Sequence, residues 1–422
     1  MRGWGCFCFT VLVLALCAAS APAQSLVNSA ALSRALAQGD LQAVHAAVAD
    51  ARRALGDRAG VPEVADTYQP VSSEATPFSP EEARKGFAPY FAGVEKVRWW
   101  TVGADPARLT APLRLPAAVL SGYLAGTRAK LPGAEQGPER AREIAGFLLW
   151  AQERAGSGGF PFPAARGTSK ARAMDAASRF LKKAEKEGKL GQVVRNGWLF
   201  EDLGDGGLQF DNGECGIAVF ELYEATKDPR YLASAEKAAD WALARPLCPN
   251  WNYNSFSVDL LAKAYAVTRA TNYLDGAVRK ARLGVIPGQL ADGPFAGRWV
   301  DPHNARPAYH YIMMRALARL AGILPEGHPA RDEVVRCLRL GLKARNAEIL
   351  DKGVMTRDKA YEALSLVSRI FAGSPDFLKE TRSAEAFRLL SAHVSDEARK
   401  GKRPLGPGEW GLFLEERATA SK

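Results

Sequence analysis

Residue types able to carry chemistry gather in three clusters, each just ahead of an apolar helical stretch. The first is Asp211-Asn212-Gly213-Glu214, with Asp205 nearby. The second is Trp251-Asn252-Tyr253-Asn254-Ser255, and the third runs from Arg298 to Tyr311. The third is the densest, because the chain has only 5 histidines and two of them, His303 and His310, fall here. At helical spacing His303, Arg306 and His310 share one face near a helix start, with Tyr309 and Tyr311 beside them. That set suits β-elimination on a uronate. Arg306 or Asn254 would neutralise the carboxylate, and His303, His310 or Tyr309 would take the C5 proton and protonate the leaving oxygen. Hydrolysis would instead need two carboxyl groups roughly 5–9.5 Å apart. Asp205, Asp211, Glu214, Asp292 and Asp301 are the candidates for it, Asp259 being set aside because it lies inside a helix. Trp251, Tyr253 and Trp299 offer aromatic faces for sugar rings, with Arg298, Asn254 and His310 as polar contacts. Each cluster also has a plain structural use: Asp211 and Asn254 or Ser255 as helix caps, the aromatics as loop packing, a histidine as a satisfied core residue.

The elements that must position these residues are helical hairpins. Apolar residues recur at helical period and strand alternation is scarce. Ser25 to Leu55 reads as a small hairpin turning at Gly39-Asp40. A Pro/Ser/Thr-rich connector follows over Pro62 to Ser79, and Ser79-Pro80 opens the next helix. Helices are expected over Leu115 to Lys130, Pro138 to Ala155 and Ala171 to Leu190. Pairs of an inner apolar and an outer amphipathic helix then follow. Tyr231-Leu232 and Tyr273-Leu274 are equivalent positions in successive pairs, 42 residues apart (273 − 231). Such a period marks a helical repeat. Long Gly/Pro/aromatic connections (Gly204 to Asp211, Pro246 to Asn254, Gly288 to Asn304) argue for a closed ring over an open superhelix, whose turns are short and uniform. The expected fold is all-α: an α/α toroid of about six hairpins with long loops on one rim. There the N-termini of the inner helices would present unpaired N–H groups to an anionic ligand.

Of the 422 residues, the first two dozen are not part of that fold. Arg2, the apolar run Phe9 to Ala19 and Ala21-Pro22-Ala23 form a secretory signal pattern over residues 1–23, too short to span a bilayer. Export to the periplasm or medium is expected. Residues 24–79 would be the N-terminal hairpin and connector, and 80–422 the toroid. Cys215, Cys248 and Cys337 remain after cleavage, enough for one disulfide of unassigned pairing or for three buried thiols. No metal-ligand spacing appears. The net charge of +10, or +9 without Arg2, favours an anionic partner. Basic residues are interspersed with acids on helix faces, which argues against nucleic acid. No Gly-x-Ser-x-Gly elbow or P-loop occurs.

Gly158-Gly159-Phe160-Pro161, Phe210-Asp211-Asn212-Gly213 and Asp228-Pro229-Arg230-Tyr231-Leu232 together resemble secreted α/α-toroid carbohydrate-active enzymes, most nearly the toroid pectate lyases. The resemblance covers Pro138 to Phe371. It implies an exported enzyme, a lyase acting on an acidic polysaccharide or a glycoside hydrolase on the same scaffold, with calcium admissible as a cofactor. A non-catalytic glycan-binding protein is the remaining class. The expected catalytic group is His303, Tyr309, Arg306 and Asp211. Trp251, Tyr253, Asn254, Arg298, Trp299 and His310 are the expected substrate contacts of a monomer.

Overall fold

The computed structural model describes residues 30–61, 67–98, 100, 113–160, 186, 208–300 and 305–420. Among them the chain is helical, with two isolated antiparallel bridges, Gln69 to Val354 and Gln289 to Trp299. The signal pattern, Asp205, Asp301, His303 and the helix expected over Ala171 to Leu190 lie outside the described residues, apart from Lys186 in that helix.

Helices α1 (Ala30–Gln38) and α2 (Leu41–Leu55) form the N-terminal hairpin. Gly39 makes its turn with φ +69°, a left-handed conformation that favours glycine. Asp40 caps α2 by accepting from the Ala43 N–H at 3.0 Å. Helices α3 (Pro80–Lys85) and α4 (Phe87–Glu95) follow. Ser79 and Glu82 close a capping box at the start of α3, each side chain accepting from the other's backbone N–H. The remaining helices come in pairs: α5 (Arg114–Arg128) and α6 (Gly137–Ala155), α7 (Leu208–Thr226) and α8 (Pro229–Ala244), α9 (Trp251–Thr268) and α10 (Thr271–Gly284), α11 (Pro307–Ile323) and α12 (Arg331–Lys352). After α13 (Asp358–Ile370) come the short α14 (Pro375–Glu380), its longer partner α15 (Ser383–Arg399), and α16 (Pro407–Thr419).

Helices α5, α7, α9, α11, α13 and α16 touch in that order, and α16 returns to α5. They are the inner ring. Helices α6, α8, α10, α12 and α15 pack outside it, and α3 with α4 takes the remaining outer place against α16. The sixth hairpin is therefore assembled from the two ends of the described toroid, and the ring is the expected α/α toroid. Composition explains the division of labour: α9 and α11 are buried on nearly every side, as helices apolar all round must be. The outer α10 buries one stripe that includes Tyr273, Leu274, Ala277 and Ala281. Tyr231 and Tyr273, matched by the repeat, are both buried in outer helices. The α1–α2 hairpin stands outside the ring, where α2 packs on α10 and the turn Ile286–Gly288.

Closure depends on two glycines. A Cβ on Gly411 would lie 2.6 Å from Gly122 Cα, and one on Gly122 would lie 2.3 Å from the Pro407 carbonyl oxygen, so α5 and α16 meet backbone to backbone. Gly411→Val is expected to destabilise the ring by at least the ~1–3 kcal/mol of core overpacking, read as a lower urea midpoint.

Two inner helices begin earlier than the sequence suggests. Asp211 and Glu214 lie within α7, and Trp251 to Ser255 form the first turn of α9, which Asn250 caps through the Tyr253 N–H. The polar clusters there belong to the helices and not to loops ahead of them. Cys215, Cys248 and Cys337 are free and buried, so no disulfide forms among the described residues.

Candidate functional site

Inside the ring is a cavity of about 380 Å³, near the lower end of the ~300–1,000 Å³ typical of small-ligand sites. Its walls come from five inner helices: Arg114 to Arg128 on α5, Phe210 to Glu221 on α7, Arg315 and Arg319 on α11, Asp358 to Arg369 on α13, and Glu409 and Leu412 on α16, the last reached through Gly406 to Gly408. The N-terminal ends of these helices stand together. Arg114 of α5 pairs with Asp211 of α7 at 2.9 Å, and the Gly406 N–H ahead of α16 donates to Asp358 of α13 at 3.1 Å. Phe210 lies between the Arg114 guanidinium, 4.2 Å from its centroid, and Phe256, stacked at 4.1 Å.

Below that end lies a network of opposed charges. Arg315 is 6 % exposed and reaches three carboxylates, Glu214 at 3.0 Å, Glu362 at 2.6 Å and Asp259 at 2.9 Å. The approach to Asp259 is an ion pair whose angle does not make a hydrogen bond, since Arg315 Nε and Asp259 Oδ2 both lack a hydrogen-bond partner. Arg319, one turn along α11, also holds Asp259. Lys359 Nζ donates to Glu362 at 3.0 Å and to Glu214 at 3.4 Å, and stands 3.8 Å from Glu409. Four carboxyl groups thus share three cations.

Environment drives these carboxyls apart. Burial pushes Glu214 up, but the charges of Arg315 and Lys359 outweigh it and hold the carboxyl down at about 2. Burial pushes Glu409 well above the ordinary carboxylate range, and the neighbouring charge and hydrogen bond of Glu362 add to it. Asp358 is also raised, chiefly by burial, against the pull of the Gly406 N–H and Lys359. At the rim, burial raises Asp211 despite Arg114, and its Oδ1 has no hydrogen-bond partner. Two carboxyls around one ammonium are therefore pushed in opposite directions, Glu214 down and Glu409 up. Among the described residues no group of three or more His, Cys, Asp or Glu is arranged to hold a metal ion. The cavity carboxyls already face Arg or Lys, a donor set that does not fit calcium.

The sequence clusters map onto this site unevenly. Glu214 is in the wall, and Asp211 sits just behind it on Arg114. Asp259, set aside in the sequence, belongs to the network, whereas Asp292 is exposed on the outside and paired with Arg52. Trp251 and Trp299 are fully buried, which leaves no face for a sugar. Trp251 lies over Gly288 and Trp299 donates to the Val285 carbonyl. Asn254 is also fully buried and fastens its loop, donating to the Cys248 and Gly284 carbonyls at 2.7 and 2.9 Å. Arg298 pairs with Glu348 and lies 4.9 Å over Phe295. Tyr253, Arg306 and Tyr309 are half-buried near the starts of α9 and α11 and do not line the cavity.

His310 is fully buried and its Nδ1 accepts from Arg345 Nε at 2.7 Å. The Trp299 N–H approaches Nε2 at 3.4 Å, so donors meet both ring nitrogens. The imidazole does not line the cavity. His310→Ala is expected to cost about 1–3 kcal/mol by orphaning the Arg345 donor, lowering Tm while the pH profile of turnover stays unmoved.

Arg114, Arg315, Arg319, Lys359, Glu362 and Glu409 were not singled out from the sequence. The available signal was charge inside apolar inner helices: Arg315 and Arg319 interrupt an otherwise apolar α11, and a charge on a helix buried all round needs a partner or a cavity.

A ring of helical hairpins around a charged cavity makes the described chain an α/α toroid. Solved structures share the architecture at low identity. A family 88 glycosyl hydrolase from Bacteroides vulgatus has TM-score 0.52 and 12% identity, over 81% of this chain and 98% of that one. A polysaccharide lyase has TM-score 0.48 and 13% identity, over 80% and 96%. The cellobiose 2-epimerase of Bacillus thermoamylovorans has TM-score 0.47 and 11% identity, over 80% and 98%. The family 88 likeness shows the fold alone. No family model and no curated protein matches the chain.

Proposed function

We propose that the chain is a carbohydrate-active enzyme that hydrolyses a glycosidic bond inside the axial cavity, with Glu409 as proton donor and Glu214 as its ionised partner. The observation that carries this is that Glu214 and Glu409 face one ammonium, Lys359, from different walls of the cavity, in surroundings that push the first carboxyl down and the second up, which is how acid and base roles are divided between like side chains. Glu409 gives its proton to the glycosidic oxygen, which takes the electron pair of the breaking bond to the anomeric carbon. The Glu214 carboxylate faces the developing positive charge and adds to that carbon. Water then displaces it, returning a proton to Glu409. Both carboxyls reach Lys359, so they are within two ammonium contacts of one another. That bound admits both the ~5–5.5 Å spacing of retaining enzymes and the lower end of the ~6.5–9.5 Å of inverting ones, and the double displacement above is the retaining course.

The described lining contains neither histidine nor tyrosine, the groups from which a lyase base and acid were expected. Its size suits a short saccharide or a chain end. Arg114 and Lys359 in its walls suit an acidic sugar, in keeping with the positive net charge. The N-terminal signal pattern would place the activity outside the cytoplasm.

Incubation of the mature chain with pectate, alginate, glycosaminoglycans, and neutral glucans and xylans separates the reactions. Hydrolysis is expected to yield new reducing ends without ultraviolet-absorbing products. A rise in absorbance from unsaturated uronates would establish elimination instead. On the responding substrate, kcat/KM is expected to fall on the alkaline side as Glu409 ionises and on the acid side only as pH approaches about 2, where Glu214 takes up its proton.

A further inference from the structure

The cavity runs the length of the ring. On α5 its wall is one helical stripe from Leu115 through Ser121 and Ala125 to Arg128, about 20 Å of rise at ~1.5 Å per residue. Leu115, at the end where Arg114 meets Asp211, is 47 % exposed. Arg128, at the opposite end, has a side chain 47 % exposed and holds Glu415 at 2.7 Å. Arg369, in the last turn of α13, is exposed as well. The lining thus meets solvent at both rims.

Side chains change character along the way. Ile217, Leu366 and Leu412 each follow a cavity carboxyl, that of Glu214, Glu362 or Glu409, by one helical turn, and all three line the cavity. Ile217 and Leu366 keep 7 % and 8 % exposure, whereas Val219 and Val367 on the same helices are at 0 %. The surface left to them is cavity surface, and together they make an apolar collar beyond the carboxyls. One turn further on the same two helices come Glu221, which accepts from Ser121 at 2.7 Å, and Arg369. A pyranose has an apolar C–H face that suits such a collar, and hydroxyls that suit the charged groups on either side of it. A pocket that ended at its reactive groups would have neither the collar nor the second set of charges.

We propose that the cavity is a bore with two mouths, and that the sugar released at Glu214 and Glu409 leaves through the collar and past Arg128 and Arg369, at the C-terminal ends of the inner helices. The N-terminal mouth, beside Arg114 and Leu115, is then the entrance. This rests on the reading of the cavity as a hydrolytic site, and it adds a product path separate from the way in.

Ser121, bonded to Glu221, lies beyond the collar and is the place for a plug. Ser121→Cys is measured before and after a benzyl methanethiosulfonate is attached to the folded chain, so that folding is not at issue. Cys215, Cys248 and Cys337 are buried and compete little for the reagent. Labelling is expected to lower steady-state kcat about tenfold or more, because release then limits turnover, while the first turnover keeps its rate and shows as a burst of about one product per chain. A labelled chain with unchanged kcat, or one slowed without a burst, overturns the proposal. A second measurement needs no substrate. Arg128→Ala widens the far mouth and Leu115→Ala the near one, and both side chains are exposed, so the fold bears their loss. The rate at which a sulfonated methanethiosulfonate modifies Ser121→Cys is expected to rise several-fold with Arg128→Ala and to stay as it was with Leu115→Ala. The opposite order, or no response to either, overturns the proposal even in a chain that hydrolyses glycans. Labelling governed from Arg128 in a chain that turns over no glycan would instead remove the hydrolytic reading and leave the second mouth standing.

Discussion

Glu409→Gln is expected to lower kcat by about 10²–10⁴-fold, the usual contribution of a positioned general acid, with KM close to that of the parent chain. Glutamine matches the carboxyl in shape, so the ring should keep its stability. What is lost is the transferable proton. The charge of the cavity is expected to change little, because burial, with the neighbouring charge of Glu362, pushes the Glu409 carboxyl up. A variant that folds, binds and does not turn over is therefore the expected outcome. Adding a substrate with a better leaving group should restore part of the rate, because such a bond needs less protonation. Unchanged turnover with an ordinary leaving group would move the acid elsewhere in the chain.

The largest effect on stability is expected at Arg315. Its guanidinium is in contact with three carboxylates drawn from three different inner helices, α7, α9 and α13. Asp259 is 1 % exposed and would keep only Arg319, while Glu214 and Glu362 would share Lys359. Breaking a buried ion pair from one side costs about 3–5 kcal/mol, because the remaining charge stays desolvated. Arg315→Ala is expected to lose at least that much at neutral pH, measured as the shift of the urea midpoint. The pH dependence follows from Glu214. Its folded pKa, about 2, lies below the ordinary value of 4.5, so its stabilising contribution is present above pH 4.5 and is lost as pH falls toward 2. Without Arg315 that depression shrinks, and the penalty should narrow in acid. Arg315→Ala with an unaltered midpoint would mean that the network does not hold the ring together.

The ring was largely legible in the sequence because local signals define it. Ser79-Pro80 marks a capped start, and Gly39-Asp40 a turn. Tyr231 and Tyr273 report the repeat, and the helices expected over Leu115 to Lys130 and Pro138 to Ala155 end within two residues of α5 and α6. The starts of α7 and α9 were less legible, since Asp211, Asn252 and Asn254 look like loop and cap residues yet are buried within first turns. The site was legible only in Glu214 and the neighbouring Asp211. Arg315 and Glu214 are 101 positions apart, and Lys359 and Glu214 are 145 apart. Such pairs exist only once the ring has closed. Each charge alone looked like an ordinary interruption of an apolar helix, whereas the third cluster drew attention by density. Its described members fasten a loop: His310 to Arg345, Arg298 to Glu348, and Trp299 to Val285.

The measurement that bears most directly on the axial cavity as the active site is a crystal structure of Glu409→Gln grown with the oligosaccharide that the wild-type chain turns over fastest. The expected result is a saccharide inside the ring, with its glycosidic oxygen in hydrogen-bond reach of the side chain at position 409 and its anomeric carbon facing Glu214. A saccharide bound at the starts of α9 and α11, against Tyr253, Arg306 and Tyr309, with the cavity free of sugar, would contradict it.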